Sequence, residues 1–501
     1  MALKFDIRNE VKGCGIGTAK LALAFSENQN ATERSRLSYA FSLFCGVYGH
    51  QPAIEYASEC DVCLTYSKHI LTHAKRVVYL SSIYRYRSLN ESAPPPVRFS
   101  RGDLSTFLFY APQGDAEPDW LGEIFEWVSC ADEYSLEANE RPSATTDGKQ
   151  YVFRHQLDPY VPYAAVAMRF LEAVIQDVEP TSANEPIPVL AGVKHHVIVT
   201  HDVDYLPQGR WEAVARLVKN SAAALVVHRR PGLAGQLLLR AIQTGFGGRN
   251  PLDQIPNLIS LEVARKISAT YFIIPRRAHR RDGNYDIKDH ILTDCLDLLA
   301  TSGMEVGLHG SYSSMDNPPT LNEEFQLLRT AGCNPCGNRQ HWLRFTMQRL
   351  IPELEAAGAA YDSSLGWSDS LGFRAGACFP FPPYYFAEER PARFLEIPLV
   401  VMDVALVFGR ERTSPSGWLS EVSQVLDMSR RFGWGGIAIL WHPTGFGGGQ
   451  IPESIGDLFW YSADERGRYD ESWTSASTFL SAVRSRYQQV GLMPVQNQNH
   501  I

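Results

Sequence analysis

Residues 195–205 read HHVIVTHDVDY. The apolar run Val197-Ile198-Val199 carries straight into Thr200-His201-Asp202-Val203-Asp204, so two carboxylates one residue apart sit where a short buried strand should end. In open parallel sheets and closed α/β barrels alike, ligands bind beyond the carboxyl ends of the strands, and acidic residues there are hard to explain as core packing. Asp202 continues the inward alternation through Ile198 and Thr200, and Asp204 lies two residues further on, so both can face one cavity. Adjacent carboxylates repel. A bound cation is the usual remedy, leaving one carboxylate as ligand and the other free to act as a base. Taken alone, the stretch can also be read as an Asp-rich turn that caps a helix.

Around this stretch, the chain has 501 residues, 45% hydrophobic and 20% charged, enough to bury a sizeable core in two or three domains. A net charge of -8, a pI near 6.0 and the lack of a basic stripe argue against a general nucleic-acid binder, whose affinity comes from Lys and Arg meeting phosphates. The start, MALKFDIRNEVKGCG, lacks the apolar core of a signal peptide, and no later segment approaches the length of a membrane helix, so a soluble cytoplasmic protein is expected. Nine cysteines are an odd number for a disulfide framework and are read as reduced. Two CxxC pairs, Cys60/Cys63 and Cys333/Cys336, have zinc-site spacing. The first lies in a stretch that alternates like a strand and the second brackets Asn-Pro at a loop, which speaks against one shared site.

Residues 1–185 show no catalytic constellation. Helical spacing at 37–47, 119–130 and 161–178 and a strand at 77–82 predict a smaller α+β domain, with a polar loop running through Lys149. The stretch EPTSANEPIP at 179–188 has the composition of a linker, and the second domain, 186–501, begins there. Helical spacing at 211–225 and 233–244 marks an insertion at about 206–255, after which helix and short apolar strand alternate. Strands are predicted at 269–274, 304–308, 338–340, 359–361, 394–401 and 437–440, which suggests a barrel of parallel strands.

Several of these strands give way to polar residues. His309 ends GLH, Asn338 opens NRQHWLRF with Arg339 and His341 one residue apart, and Leu440 leads into Trp441-His442-Pro443. These groups fall at the same predicted end of their strands as Asp202 and Asp204, the catalytic face of such a barrel.

Here the chain resembles the NodB-type polysaccharide deacetylases, carbohydrate esterase family 4, over roughly residues 190–450. The resemblance implies an α/β fold, a distorted (β/α) barrel, and hydrolysis of acetyl groups from N-acetylated sugars with one divalent metal, usually zinc. THDVD stands for the first motif, making Asp202 the general base and Asp204 a metal ligand. GLHGSYSS stands for the second, with His309 a ligand. NRQHW stands for the third, where Arg339 would orient the base and the backbone N–H of Trp342 would help hold an oxyanion. LWHP makes His442 the acid that protonates the leaving amine. ATYFIIP, YDSSLGW and LEIPL resemble connecting segments, and WLGEIFEWVSCADEY resembles the domain found ahead of such barrels in some bacterial deacetylase-like proteins.

One departure matters. The second motif normally places another histidine four residues after the first, but here that position is Ser313, a poor zinc ligand. His341, where the family usually carries proline, is the replacement expected to complete the set. Tyr312, Trp342, Trp367 and Trp441 lie near the motifs and serve either to stack on sugar rings or as core. Two other readings stand beside the sugar deacetylase: a hydrolase of a small cyclic amide, and a catalytically weak barrel that binds a glycan or a protein partner. Oligomeric state is not indicated.

Overall fold

The computed structural model describes residues 18–53, 59–67, 73–81, 93–112, 116–137, 150–317, 320–409, 415–449 and 451–495. Most of the predicted polar loop up to Lys149 lies outside them. In the first part, β1 (Lys20–Ala24), β2 (Gln51–Pro52), β3 (Val62–Thr65) and β4 (Arg76–Tyr79) form a parallel sheet in the order β2-β1-β3-β4, and β5 (Val97–Arg101) pairs with β6 (Leu104–Leu108) as an antiparallel hairpin. Helix α1 (Ala31–Tyr48) starts at a reciprocal Asn30–Glu33 capping box and stops at Gly49 in the left-handed conformation. It is followed by α2 (Trp120–Val128), α3 (Ala131–Glu137), α4 (Tyr151–Arg154) and α5 (Tyr163–Gln176), with α2 packed on both α1 and α5.

The second part is built on β7 (His195–Val203), buried along its whole length, as a strand with neighbours on both edges and layers on both faces must be. Next come β8 (Thr270–Ile273), β9 (Glu305–Gly310), β10 (Gly337–Gln340) and β11 (Tyr361–Asp362). After the small antiparallel pair β12 (Tyr384–Tyr385) and β13 (Arg390–Pro391) come β14 (Leu395–Glu396), β15 (Leu399–Met402), β16 (Gly436–Leu440) and β17 (Glu471–Thr474). The sheet order is β14-β11-β10-β9-β8-β7-β16-β15, and every pairing in it is parallel.

The two outer strands of that order are consecutive in the chain. The sequence predicts one strand over 394–401, and the structure breaks it at Pro398, which has no N–H to give to a ladder. Ile397 N–H still donates to Asp362 O (2.8 Å) on one side, and Pro398 O accepts from Ala438 N–H (2.8 Å) on the other. One kinked run therefore serves both edges, and the sheet curls into the expected distorted (β/α) barrel. β17 has no counterpart among the predicted strands. It lies beside residues 195–198 of β7, while β8 takes residues 200–203 along the same strand.

The linker-like stretch at 179–188 separates two sheets but not two cores. A single hydrophobic core runs from Leu21, Phe44 and Phe125 into Phe373, Phe381 and the barrel. Tyr39 Oη donates to Pro382 O (2.8 Å), Arg36 pairs with Glu389 (2.7 Å), and Arg374 makes a buried double contact with Glu133 (Nη2 to Oε2 2.6 Å, Nε to Oε1 3.1 Å). Backbone meets backbone at Gly376: its carbonyl accepts from Ala164 N–H (2.8 Å), its φ is 58°, and a Cβ there would lie 2.9 Å from Ala164 N.

The predicted insertion is a helical hairpin, α6 (Arg210–Val226) and α7 (Pro231–Gly245), with α8 (Ile255–Ala264) after it. The hairpin has a small core of its own around Leu217, Leu237 and Leu252. Among the described residues no helix is long and apolar enough to cross a membrane, and none of the eight described cysteines is in a disulfide. Cys60 and Cys63 sit in one small cluster and Cys333 and Cys336 against the main core, so the two CxxC pairs make no common site.

Candidate active site

Side-chain alternation along β7 does what its period requires. Thr200 and Asp202 point into the barrel, where Arg339 Nη1 donates to Thr200 Oγ1 (2.7 Å) and to Asp202 Oδ1 (3.2 Å). His201, between them, points away and is held by Trp441 O (2.6 Å) and buried Glu262 (2.8 Å). Arg339, from β10, is fully buried. Its remaining donors go to Ser363 O (2.9 Å) and Ser363 Oγ (2.8 Å), so the guanidinium is fixed from below while one edge meets Asp202.

Asp204 comes directly after β7, His309 is the penultimate residue of β9 and His341 follows β10, and the three converge. Asp204 Oδ1 lies 3.3 Å from His309 Nε2 and 3.5 Å from His341 Nε2, and one ligand atom from each residue falls within 4.8 Å of the others. Bonds of about 2.0–2.2 Å at a tetrahedral zinc place ligand atoms about 3.3–3.6 Å apart, so the two carboxylate–imidazole spacings fit an ion between them. The far side of each ring is occupied. His309 Nδ1 lies 2.8 Å from Arg339 O, and His341 Nδ1 faces Asp282 Oδ1 at 3.4 Å. That leaves both Nε2 atoms turned toward Asp204, the arrangement in which a metal-binding histidine is held from behind. Asp204 Oδ1 and His309 Nε2 are buried and have no hydrogen-bond partner among the described residues. Orphaned polar atoms of this kind call for a missing partner, and a cation supplies one for both. Ser313 is in a tight turn whose carbonyl accepts from Asp316 N–H (3.0 Å).

Charge reinforces the geometry. Burial works to raise the Asp204 pKa, but the imidazoles of His341, His309 and His442 outweigh it and hold the carboxyl far below the usual range. Burial likewise works to lower the His309 pKa and is overcome by Asp202 and Asp204, which raise it. For Asp282 the contest between burial and its hydrogen bonds, from His341 and the N–H groups of Tyr312 and His279, also ends below the ordinary value.

His442, next in the chain after β16 and Trp441, stands on the opposite wall with Nε2 3.7 Å from Asp204 Oδ2. Asp403 holds it twice: Nδ1 contacts Oδ1 at 2.7 Å, and the His442 backbone N–H donates to Oδ2 at 2.8 Å. Burial presses its pKa down, yet Asp403, Asp204 and Asp202 together push it up to about 10.

The aromatic candidates divide. Trp342 is 51% exposed, and both it (φ 64°, ψ 15°) and Leu343 (φ 49°) hold the left-handed conformation that costs a side-chain-bearing residue energy. Tyr312 is half-buried, stacked on His279 (4.7 Å between rings), with Arg281 over both it (4.8 Å) and Trp342 (5.4 Å). Trp441 is corrected as a substrate-binding candidate. It is buried against Phe459 and donates to Ile455 O (2.9 Å), because a residue adjacent to a cavity-facing His442 must point the other way. Trp367 is core as well, against Phe153. Reading the sequence missed Asp403 and Asp282. An acid directly after the apolar run LVVM was a usable sign for the first, whereas Asp282 comes from an irregular loop with no periodic signal.

No protein-family model and no curated protein matches the chain. Solved structures do. A probable polysaccharide deacetylase from Pseudomonas aeruginosa PAO1 is 12% identical, with 59% of this chain and 92% of that one covered and a TM-score of 0.39. Puue allantoinase is 13% identical, with coverage of 60% and 94% and a TM-score of 0.39. A family 4 carbohydrate esterase from Streptomyces lividans in complex with acetate is 12% identical, with coverage of 54% and 91% and a TM-score of 0.25. These are distant likenesses of fold, and what the site can do has to be read from its own side chains.

Proposed function

We propose that this protein is a metal-dependent hydrolase that removes acetyl from an N-acetylated saccharide. The observation that carries the reading is the convergence of Asp204, His309 and His341 on one point, with the Arg339–Asp202 pair on one side of it and the Asp403–His442 pair on the other. Asp204, His309 and His341 would hold a divalent cation, and two nitrogens with one oxygen suit zinc. Such an ion polarises an acyl carbonyl and acidifies water at the site.

The chain's own residues supply the proton transfers. Arg339, itself held by Thr200, fixes Asp202 so that its other oxygen takes a proton from water at the mouth. Asp403 keeps His442 protonated and aimed, and His442 gives its proton to the departing nitrogen, so that base and acid flank the reacting carbon from two walls. To the backbone N–H of Trp342, in the strained turn that follows His341, we assign the carbonyl oxygen as it gains charge. Exposed Trp342 gives a sugar ring an apolar face to lie on, whereas the Tyr312 ring is already packed on His279 and Arg281. The test is acetate release from N-acetylated oligosaccharides by the purified protein, with bound metal counted before and after chelation. About one ion per chain, with activity lost on chelation and restored by zinc, is the expected result. Full loading with no acetate from any sugar would replace this reading with that of a small-amide hydrolase or a binding protein.

A further inference from the structure

Between Tyr205 and Leu252 the chain leaves the barrel mouth and returns, and the hairpin it makes there is apolar on its outside. Helix α6 buries Ala213, Leu217 and Ala224, yet on the opposite side Trp211, Val218 and Leu225 recur every seven residues with Ala215 and Ala222 between them, all exposed. Helix α7 repeats this, burying Leu233, Leu237 and Ala241 and exposing Leu238, Leu239 and Ile242. Phe246, 91% exposed, comes directly after α7 at the end where the Trp211 ring (itself 73% exposed) lies 3.9 Å from the place a side chain would take on Gly245. A helix apolar on both faces belongs in a core or against lipid. Neither helix is long and apolar enough to cross a bilayer, which leaves its surface.

Charge chooses among occupants. Residues 206–252 carry seven Lys and Arg against the one carboxylate of Glu212, in a chain whose net charge is -8. Arg210 and Arg249 flank the Trp211–Phe246 end, Arg229 lies at the turn and Lys219 between, and all four are exposed. A second copy would bring like charges together, and a polyanion such as nucleic acid would leave the apolar stripes in water. An anionic bilayer meets both demands, with the stripes in its acyl boundary and the cations among its phosphates. We propose that the α6–α7 hairpin is an interfacial anchor that seats the mouth of the barrel on a bilayer containing anionic phospholipid. Because α6 begins at Arg210, a short way along the chain from Asp204, docking the hairpin would bring the site near that surface.

The experiment is sedimentation of the full chain with phosphatidylcholine vesicles, with and without phosphatidylglycerol, at low and high salt. The expected result is at least about tenfold more protein on the anionic vesicles, reduced by salt. Trp211→Glu with Leu225→Glu should cut that binding at least about tenfold, and Arg229→Gln with Arg249→Gln should erase the preference for the anionic lipid. Both side chains in the first pair face water, so circular dichroism and bound metal should not change. Should the first pair nonetheless disturb folding, quenching of tryptophan emission by brominated lipid, smaller in Trp211→Phe than in the unmodified chain, reads the same contact. Equal background sedimentation on both lipids overturns the proposal. So does a dimer by light scattering that Trp211→Glu with Leu225→Glu converts to monomer while neither form binds vesicles, since the stripes would then be covered by a second copy.

Discussion

At the mouth of the barrel, charged groups are buried: Asp202, Arg339, His309 and His341 are each no more than 5% exposed, and most of their polar atoms have a protein partner. On the α6–α7 hairpin the inversion runs the other way, with Trp211, Leu225 and Phe246 in water. Both regions break the rule that oil goes in and charge stays out, and each breaks it where it borders something that is not part of the chain. The difference lies in precision. A cation site tolerates errors of only tenths of an ångström, so the histidines at the mouth are each tied by a second residue, while a surface anchor needs only area and sign of charge.

The sharpest break of this comparison is at Asp204. Replacing it by Asn, or His309 by Ala, should take bound metal well below one ion per chain and turnover below detection; metal content and acetate release measured together decide it, and retained metal would mean that the convergence is structural. Next is Asp202→Asn. Turnover should fall at least about 100-fold with metal retained, since only the proton transfer is lost. A variant with near-normal rate would remove Asp202 from the role of base.

Asp403→Asn sharpens the electrostatic side. His442 must be protonated to act as acid, so rate should decline as pH rises through its pKa. The three carboxylates push that value up to about 10, and an ion on Asp204 cancels part of the push, so the alkaline limb should lie below 10. Removing the Asp403 charge should move the limb lower still. An unmoved limb in the kcat profile would show that another group titrates. On the hairpin turnover should change least and stability should respond instead: Leu217→Ala, in its core, should cost about 2–5 kcal/mol within that unit. Leu225→Gln, one face round, should change stability by less than about 0.5 kcal/mol in a denaturant titration.

Much of the barrel was legible because buried parallel strands are short apolar runs and the polar residue that ends each one stands out against them. That contrast singles out Asp202, Asp204, His309, Arg339, His341 and His442 in the bare sequence. It does not say which neighbour of a cavity residue faces the core, so Trp441 stays open between sugar platform and core until packing decides, nor can it find Asp282 in a loop without period. Strand 394–401 looked continuous because apolarity does not reveal that Pro398 interrupts a ladder. The seam at Glu133–Arg374 was hidden for another reason. A linker's composition reports that the chain turns there, while whether two cores fuse depends on faces such as those of Phe125 and Tyr384, which only packing brings together.

The sharing of one side of β7 by β8 and β17 has a consequence for synthesis. A ribosome finishes β8 about two hundred residues before it reaches Glu471, and through that interval residues 195–198 have an open hydrogen-bonding edge just below the carboxylates. A nascent chain stalled late in that window, past His442, or one ended there by a stop codon, would hold its site residues yet display an unpaired strand edge beside the apolar core, the template on which chains join one another. The residues that close this edge, Glu471–Thr474, touch none of the chemistry.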